Sequence, residues 1–282
     1  MKNIVYYLLG LALICIACKT KSAEKNPEKD YQACIAAEEA YNAFVEKYEQ
    51  DAEAGTLTEE KKASLEKESE TLFENTKAVF AEFYKNNINT DFAQTIFSES
   101  RWTRRLNPDQ LEAVINAVTD ETFKETEIYK YAADRLLRMK NTRPGNPYTN
   151  IVSENPQGNP DELANYVGKG KYVLLDFWAS WCPDCHKEMP TLVELYAAYK
   201  DKNFEIVGYS LDRNKDAWIK GIDDLNITWP QLSDCSYWNS EGAKLYAVQF
   251  IPQTVLIDLE GNIIERGLDM VALREKIAEL IK

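Results

Sequence analysis

The sequence contains one motif with evident redox chemistry, Trp181-Cys182-Pro183-Asp184-Cys185. At the start of a helix, unpaired backbone N–H groups and the helix dipole stabilise a thiolate on the first cysteine. That thiolate is the nucleophile that attacks a substrate disulfide. Cys185, one helical turn later, can resolve the mixed disulfide that results. Pro183 suits the first turn because a proline there loses no hydrogen bond. The motif therefore predicts thiol–disulfide exchange.

The cysteine spacing alone also permits other sites. A structural disulfide is one. Zinc needs about four ligands, and the remaining candidates are Cys34, Cys235 and His186, with no second cysteine pair. Residues 182–186 also match Cys-x-x-Cys-His, the attachment sequence of c-type haem, with His186 as axial ligand. The simplest role for His186 is a solvent-facing residue of the first turn that tunes the thiolate. Neighbouring elements must decide among these sites.

The elements around the motif follow an α/β order. An apolar run at 172–178 predicts a buried strand directly before the cysteines, and a helical pattern follows at 183–200. Further strands are predicted at 204–210, 254–258 and 263–266, the last two around a turn at Glu260-Gly261-Asn262. Helices are predicted at 217–225 and 271–281. This order predicts a mixed sheet flanked by helices.

Residues 174–185, Leu-Leu-Asp-Phe-Trp-Ala-Ser-Trp-Cys-Pro-Asp-Cys, resemble the active-site run of thioredoxins. They are closer still to the membrane-tethered proteins of the TlpA/ResA type. The resemblance covers residues 143–282 and implies a thioredoxin-like fold and a protein disulfide oxidoreductase. It implies that this protein acts as a reductant of disulfides and is itself reduced by another dithiol protein, so that no soluble cofactor and no metal are expected. The insert 212–250 and the helical region before this domain resemble Bacteroidetes lipoproteins.

The resemblance also implies roles for residues outside the motif. Asp176 stands where thioredoxins carry a buried acid that assists proton transfer at the resolving thiol. Glu188 stands where ResA-type proteins have a glutamate beside the active site. Ile251-Pro252 stands where the fold has a cis-proline that faces the cysteines and binds the substrate backbone. Four residues are thus predicted to bind substrate: Trp181, Pro183, Ile251 and Pro252.

Two features depart from the family's pattern. Asp184 occupies the place directly before the second cysteine, where the family most often has proline. A carboxylate there disfavours the thiolate by charge repulsion, so we expect the potential of the pair to differ from the family's. The lipoproteins also often carry a β-rich N-terminal domain, whereas this chain shows only helical patterns before residue 143.

The first eighteen residues form a separate segment. Lys2 precedes an apolar run from Ile4 to Ala17, which has the regions of a secretory signal and is short for a membrane span. Ile16-Ala17-Cys18 resembles a bacterial lipobox, although Cys15 stands where leucine is usual. We therefore expect a signal peptide at 1–17, then a lipidated Cys18 and polar tether at 18–30. A lipid anchor would hold the protein in the cell envelope, facing the periplasm.

Residues 31–142 are predicted to form an all-α domain, ended by the helix-breaking cluster 143–147. Thr58 and Asn107-Pro108 are predicted helix starts, and one helix is expected at 121–139. The simplest role for the aromatic stripes is core packing. The alternative is a docking surface or part of a substrate groove, and nothing in the sequence favours it.

Charge and cysteine content limit the partners. The net charge of −13 excludes nucleic acid, because phosphate binding needs a basic surface. The expected partners are protein thiol or disulfide substrates and a dithiol reductant of the membrane or envelope. Apocytochrome maturation, general protein reduction and oxidative-stress defence are all possible uses. Cys34 and Cys235 are expected to be unpaired thiols, with a bridge between them as the alternative. Two alternative functions are a peroxiredoxin-type peroxidase and a non-catalytic binding scaffold.

Overall fold

The computed structural model describes residues 26–281. Within that range, no helix is both long and apolar enough to cross a membrane. The predicted signal peptide 1–17 and the lipidated Cys18 lie outside the described residues. Contacts divide the chain into two compact units, residues up to Ile96 and residues from Phe97 onward.

The first unit is a pair of long helices, α1 (Pro27–Glu53) and α2 (Glu59–Asn87), followed by the start of α3 (Asp91–Glu99). Asn26 caps α1, so the last four residues of the predicted tether, 27–30, are helical. Thr58 caps α2, which confirms the predicted start. The Tyr31 ring packs against those of Phe80, Phe83 and Phe92. In this unit the aromatic stripe is core.

The second unit opens with short helices: α4 (Arg101–Arg105), α5 (Pro108–Ala117), α6 (Glu121–Lys124) and α7 (Glu127–Asn141). A capping box of Asn107 and Gln110 begins α5, as predicted. The prediction of a single helix at 121–139 is wrong, because α6 and α7 are separate helices. Thr126 accepts a hydrogen bond from the Tyr129 N–H and starts α7 as a new helix. All elements described up to Asn141 are helices, which confirms the predicted all-α region.

The α/β part follows in the same unit. Its strands are β1 (Val152–Glu154), β2 (Pro160–Glu162), β3 (Tyr172–Trp178), β4 (Phe204–Ser210), β5 (Gln231–Leu232), β6 (Gln253–Ile257) and β7 (Ile263–Arg266). Its helices are α8 (Pro183–Tyr199), α9 (Lys215–Asp224), α10 (Glu241–Leu245) and α11 (Met270–Leu280). Strands β1, β2 and β5 were not predicted, because two or three residues show no periodicity.

The main sheet has the strand order β5-β4-β3-β6-β7. Strands β3, β4 and β5 are parallel, whereas β6 and β7 run antiparallel to their neighbours. Nearly every residue of β3 and β4 is buried, which explains why both strands are mostly apolar. Helix α8 packs on β4, and α11 packs on α8. The mixed sheet with flanking helices confirms the predicted thioredoxin-like fold.

Polar contacts join the helices of the second unit to its α/β part. The Arg266 guanidinium donates to the carbonyl oxygens of Thr142 and Tyr246. The Tyr131 hydroxyl donates to Gln249 at 2.9 Å. The domain boundary near residue 142 stays a prediction from the sequence pattern, since the compact unit includes helices on both sides of it.

Candidate active site

Cys182 is the N-cap residue of α8, in the turn that follows β3. Its Sγ accepts a hydrogen bond from the Cys185 N–H at 3.1 Å. The two cysteines form a disulfide with their Cα atoms 5.3 Å apart. Cys182 is 4% exposed and Cys185 is 1% exposed, so Cys182 is the slightly more exposed residue of the pair. The helix N-terminus supplies the N–H groups that stabilise a Cys182 thiolate once the disulfide is reduced.

Asp212 holds the turn that leads into Cys182. This carboxylate lies just after β4 and is 1% exposed. It accepts hydrogen bonds from the Ser180 N–H at 3.0 Å and the Ser180 hydroxyl at 2.6 Å. The Ser210 hydroxyl donates to it at 2.7 Å. His186 is exposed, and its Nε2 lies 2.8 Å from the Ser180 carbonyl oxygen, on the same turn. Asp212 is not among the residues predicted from the sequence, although an acid at the carboxyl end of a buried strand is a recognisable feature.

Asp212→Asn is expected to lower the free energy of unfolding by about 1.5–3 kcal/mol, because hydrogen bonds to a buried charge are lost. Urea unfolding of the oxidised protein measures the change. The matched control is Asp224→Asn, an exposed acid at the end of α9 paired with Lys220. Its change is expected to stay within about 0.5 kcal/mol. Equal effects of the two variants would contradict an anchoring role for Asp212.

Two carboxyl groups of the predicted site have raised pKa values. Asp176, on β3, is 1% exposed, and its Oδ2 has no hydrogen-bond partner among the described residues. Burial, followed by the charge of Glu188, raises the pKa of Asp176 to about 7. Burial, followed by the charges of Asp184 and Asp269, raises the pKa of Glu188 to about 7. Both groups can therefore exchange protons near neutral pH.

Asp184, the residue that departs from the family's pattern, is exposed. Its Oδ1 lies 2.7 Å from the Lys187 ammonium, one turn along α8, and both side chains are mostly in solvent. An exposed, paired carboxylate is well screened by solvent and counter-charge. Its expected effect on the potential of the cysteine pair stays a prediction.

The structure brings the four residues predicted to bind substrate around Cys182. The Ile251–Pro252 peptide bond is cis, as expected. The Ile251 carbonyl oxygen lies 3.8 Å from the Cys182 Sγ. Trp181 is 43% exposed, and Pro183 is exposed at the start of α8. The Trp181 ring lies 5.2 Å from Tyr237 and 6.3 Å from Trp238, two residues of the insert 212–250.

The other two cysteines in the described part of the chain are free thiols. Cys34 is buried in the first unit, where burial raises the pKa of its thiol to about 12. Cys235 is partly exposed, and the Ser233 Oγ lies 3.7 Å from its Sγ. Both are unpaired, as expected. Within residues 26–281, no group of three or more His, Cys, Asp or Glu side chains is placed to hold a metal ion.

Comparisons with known proteins concern this second half of the chain. The AhpC/TSA family profile matches residues 144–266. The thiol-disulfide oxidoreductase ResA of Oceanobacillus iheyensis is 39% identical over 156 residues, which are 54% of this chain and 72% of that protein. ResA of Halalkalibacterium halodurans is 30% identical over 175 residues, 60% of this chain and 90% of the relative.

Solved structures give the same kind of neighbour. The thioredoxin domain of a thiol-disulfide oxidoreductase from Bacteroides vulgatus is 32% identical, with a TM-score of 0.46, over 50% of this chain and 99% of that domain. A thiol-disulfide oxidoreductase from Bacteroides fragilis is 32% identical, with a TM-score of 0.46, over 48% of this chain and 99% of that one. On its sequence relatives, the chain belongs to the ResA-type thiol–disulfide oxidoreductases.

Proposed function

We propose that this protein reduces disulfides of envelope proteins through Cys182 and Cys185. One observation carries the proposal: the Cys182 Sγ caps α8, with the Cys185 N–H on one side and the Ile251 carbonyl on the other. A sulfur in this position is stabilised as a thiolate and faces a segment that can align a substrate backbone.

The reaction begins with the reduced pair. The Cys182 thiolate attacks one sulfur of a substrate disulfide, forms a mixed disulfide and releases the other substrate sulfur as a thiolate. Cys185 then loses its proton and attacks the Cys182 sulfur. The substrate leaves with both cysteines reduced, and the protein retains the Cys182–Cys185 disulfide. An envelope dithiol supplies two electrons and two protons to restore the reduced pair.

Asp176 and Glu188 are proposed to manage the protons of this cycle. Asp176 takes the proton of the resolving Cys185 thiol, which suits a buried acid whose pKa is about 7. Glu188, half-buried on the catalytic helix, passes protons between this acid and solvent. The charge of Glu188 favours the protonated form of Asp176.

Substrate is proposed to lie against Ile251, Pro252, Trp181 and Pro183. The Ile251 carbonyl beside Cys182 offers an acceptor for a substrate N–H, and Trp181 offers an exposed aromatic face. The predicted lipid anchor at Cys18 would place the site in the envelope, facing the periplasm. The reductant partner is then a membrane or envelope dithiol protein.

The deciding experiment is the reduction potential of the Cys182–Cys185 pair, together with insulin reduction by the wild-type protein. If the protein is a reductant, the reduction potential of its cysteine pair is expected to lie near that of thioredoxin, at about −270 mV. The reduced protein is then expected to precipitate insulin chains. A potential near about −120 mV would indicate an oxidant that forms disulfides instead. An absence of insulin reduction with a fully reduced pair would favour the binding-scaffold alternative.

A further inference from the structure

Trp238 links the redox site to the helices that precede the α/β part. One side of its ring faces Trp181, with 6.3 Å between ring centroids. Trp238 also lines a cavity of about 480 Å³ whose other walls include Arg104, Tyr131 and Arg135. All four of these residues belong to the compact unit that begins at Phe97. The surface beside the cysteine pair therefore continues onto α4 and α7.

The segment that leads into Pro252 has the same helical neighbours. Gln249 accepts a hydrogen bond from the Tyr131 hydroxyl, and the Arg105 guanidinium lies 5.7 Å from the centre of the Phe250 ring. Phe250 is 45% exposed, and Tyr131 is 48% exposed. Exposed aromatic rings thus occur on both sides of the cis-proline segment. Aromatic and arginine side chains are the residues most enriched at the centre of protein interfaces.

The charge of this cavity is opposite to that of the whole chain. The net charge of the chain is −13, yet the two charged residues that line this cavity of about 480 Å³ are Arg104 and Arg135. Arg135 is 5% exposed and is held by the carbonyl oxygens of Thr103, Arg104 and Leu106. Burial lowers its pKa only to about 10, so it stays charged at neutral pH.

A smaller adjoining cavity of about 230 Å³ extends the same groove. Arg138, Lys244 and Asp134 line it, and Asp134 is already paired with Arg138 at 2.7 Å. The groove therefore presents a local positive potential beside exposed aromatic rings. Such a potential attracts an acidic segment and disfavours a basic one.

We propose that this groove, from Trp181 through Trp238 to α4 and α7, binds an extended acidic segment next to the cysteine of a substrate protein. The helices before the thioredoxin-like part would then select substrates. This inference rests on the proposed reduction of protein disulfides, because the substrate cysteine must lie at Cys182. The proposed groove would give α4 and α7 a role in substrate binding, which is the alternative to core packing considered for the helical region.

The test uses peptide disulfides and the reduced full chain. Two cysteine peptides are made as mixed disulfides with 2-nitro-5-thiobenzoate, one with aspartates and glutamates on both sides of the cysteine and one with serines and glutamines. Release of the coloured thiol gives a rate constant for each. The acidic peptide is expected to react about fivefold faster at low salt, the effect of roughly one favourable ion pair. The ratio should shrink toward one in 1 M salt.

Variants separate the groove from general charge effects. Arg104 is exposed, so Arg104→Gln should fold and bring the ratio of the two rates close to one, and Arg104→Glu should bring it below one. The matched control is Arg274→Gln, an exposed arginine on α11 paired with Glu194. It should keep the wild-type ratio.

Two outcomes overturn the inference and remain distinguishable. Equal rates for both peptides in the wild type, or equal ratios in the Arg104→Gln and Arg274→Gln variants, would refute the groove alone. A faster reaction of the reduced wild type than of Cys182→Ser toward the neutral reagent 2,2′-dithiodipyridine shows that exchange occurs at Cys182, because the partly exposed Cys235 is present in both. A wild-type rate no faster than that of Cys182→Ser would refute the proposed function together with the groove.

Discussion

Cys182→Ser is expected to reduce disulfide exchange to background, whereas Cys185→Ser is expected to leave the first attack intact and trap substrate as a mixed disulfide. The difference follows from their positions. Cys182 caps α8 and is 4% exposed, while Cys185 lies in the first turn of the helix and is 1% exposed. A serine at 182 supplies no thiolate, and a serine at 185 cannot attack the Cys182 sulfur.

Two measurements check this pair of variants. Insulin reduction gives the overall activity, and mass spectrometry without reductant detects the covalent complex. The matched control is Cys235→Ser, which removes a partly exposed free thiol and should keep wild-type activity. Activity that survives in Cys182→Ser, or complexes that accumulate in that variant rather than in Cys185→Ser, would reverse the assigned roles.

Asp176→Asn is expected to slow the resolving step by about 10²–10⁴-fold at pH 7, the usual contribution of a positioned acid or base. An amide fills the same buried space but cannot take the Cys185 proton. Stopped-flow measurement of substrate release from a preformed mixed disulfide isolates that step. An unchanged rate constant and pH profile in the variant would show that Asp176 takes no part in proton transfer.

The same substitution should change how stability depends on pH. The pKa of Asp176 is about 7 in the folded protein and about 3.9 in the unfolded chain, so the folded state binds the extra proton between these values. The stabilisation present below pH 4 is therefore lost as the pH rises toward 7, by at most about 4 kcal/mol. Urea unfolding at pH 5 and pH 8 should show this loss in the wild type and in Asp224→Asn. In Asp176→Asn the share of Asp176 should be absent while that of Glu188, whose pKa is also about 7, remains. A loss equal to the wild type's would assign all of it to other groups.

The sequence determined the redox motif and the elements around it, because both depend on local order. A run of seven residues that are apolar except for Asp176 predicts β3, and Pro183 marks the first turn of α8; both elements begin at the predicted residue. Family resemblance then located Asp176, Glu188 and the Ile251–Pro252 pair. The break between α6 and α7 was missed because the apolar pattern continues across it, and a single threonine cap decides it.

Tertiary structure alone decided how these parts come together. Ser180 and Asp212 are 32 residues apart, and Cys182 and Ile251 are 69 apart, so their contacts exist only once the sheet orders β4 and β6 beside β3. Arg135 donates a hydrogen bond to the backbone carbonyl oxygen of Thr103. A contact with the backbone cannot be predicted from the pattern of side chains along the sequence. The raised pKa of Asp176 likewise follows from burial, which is a property of packing and not of spacing along the chain.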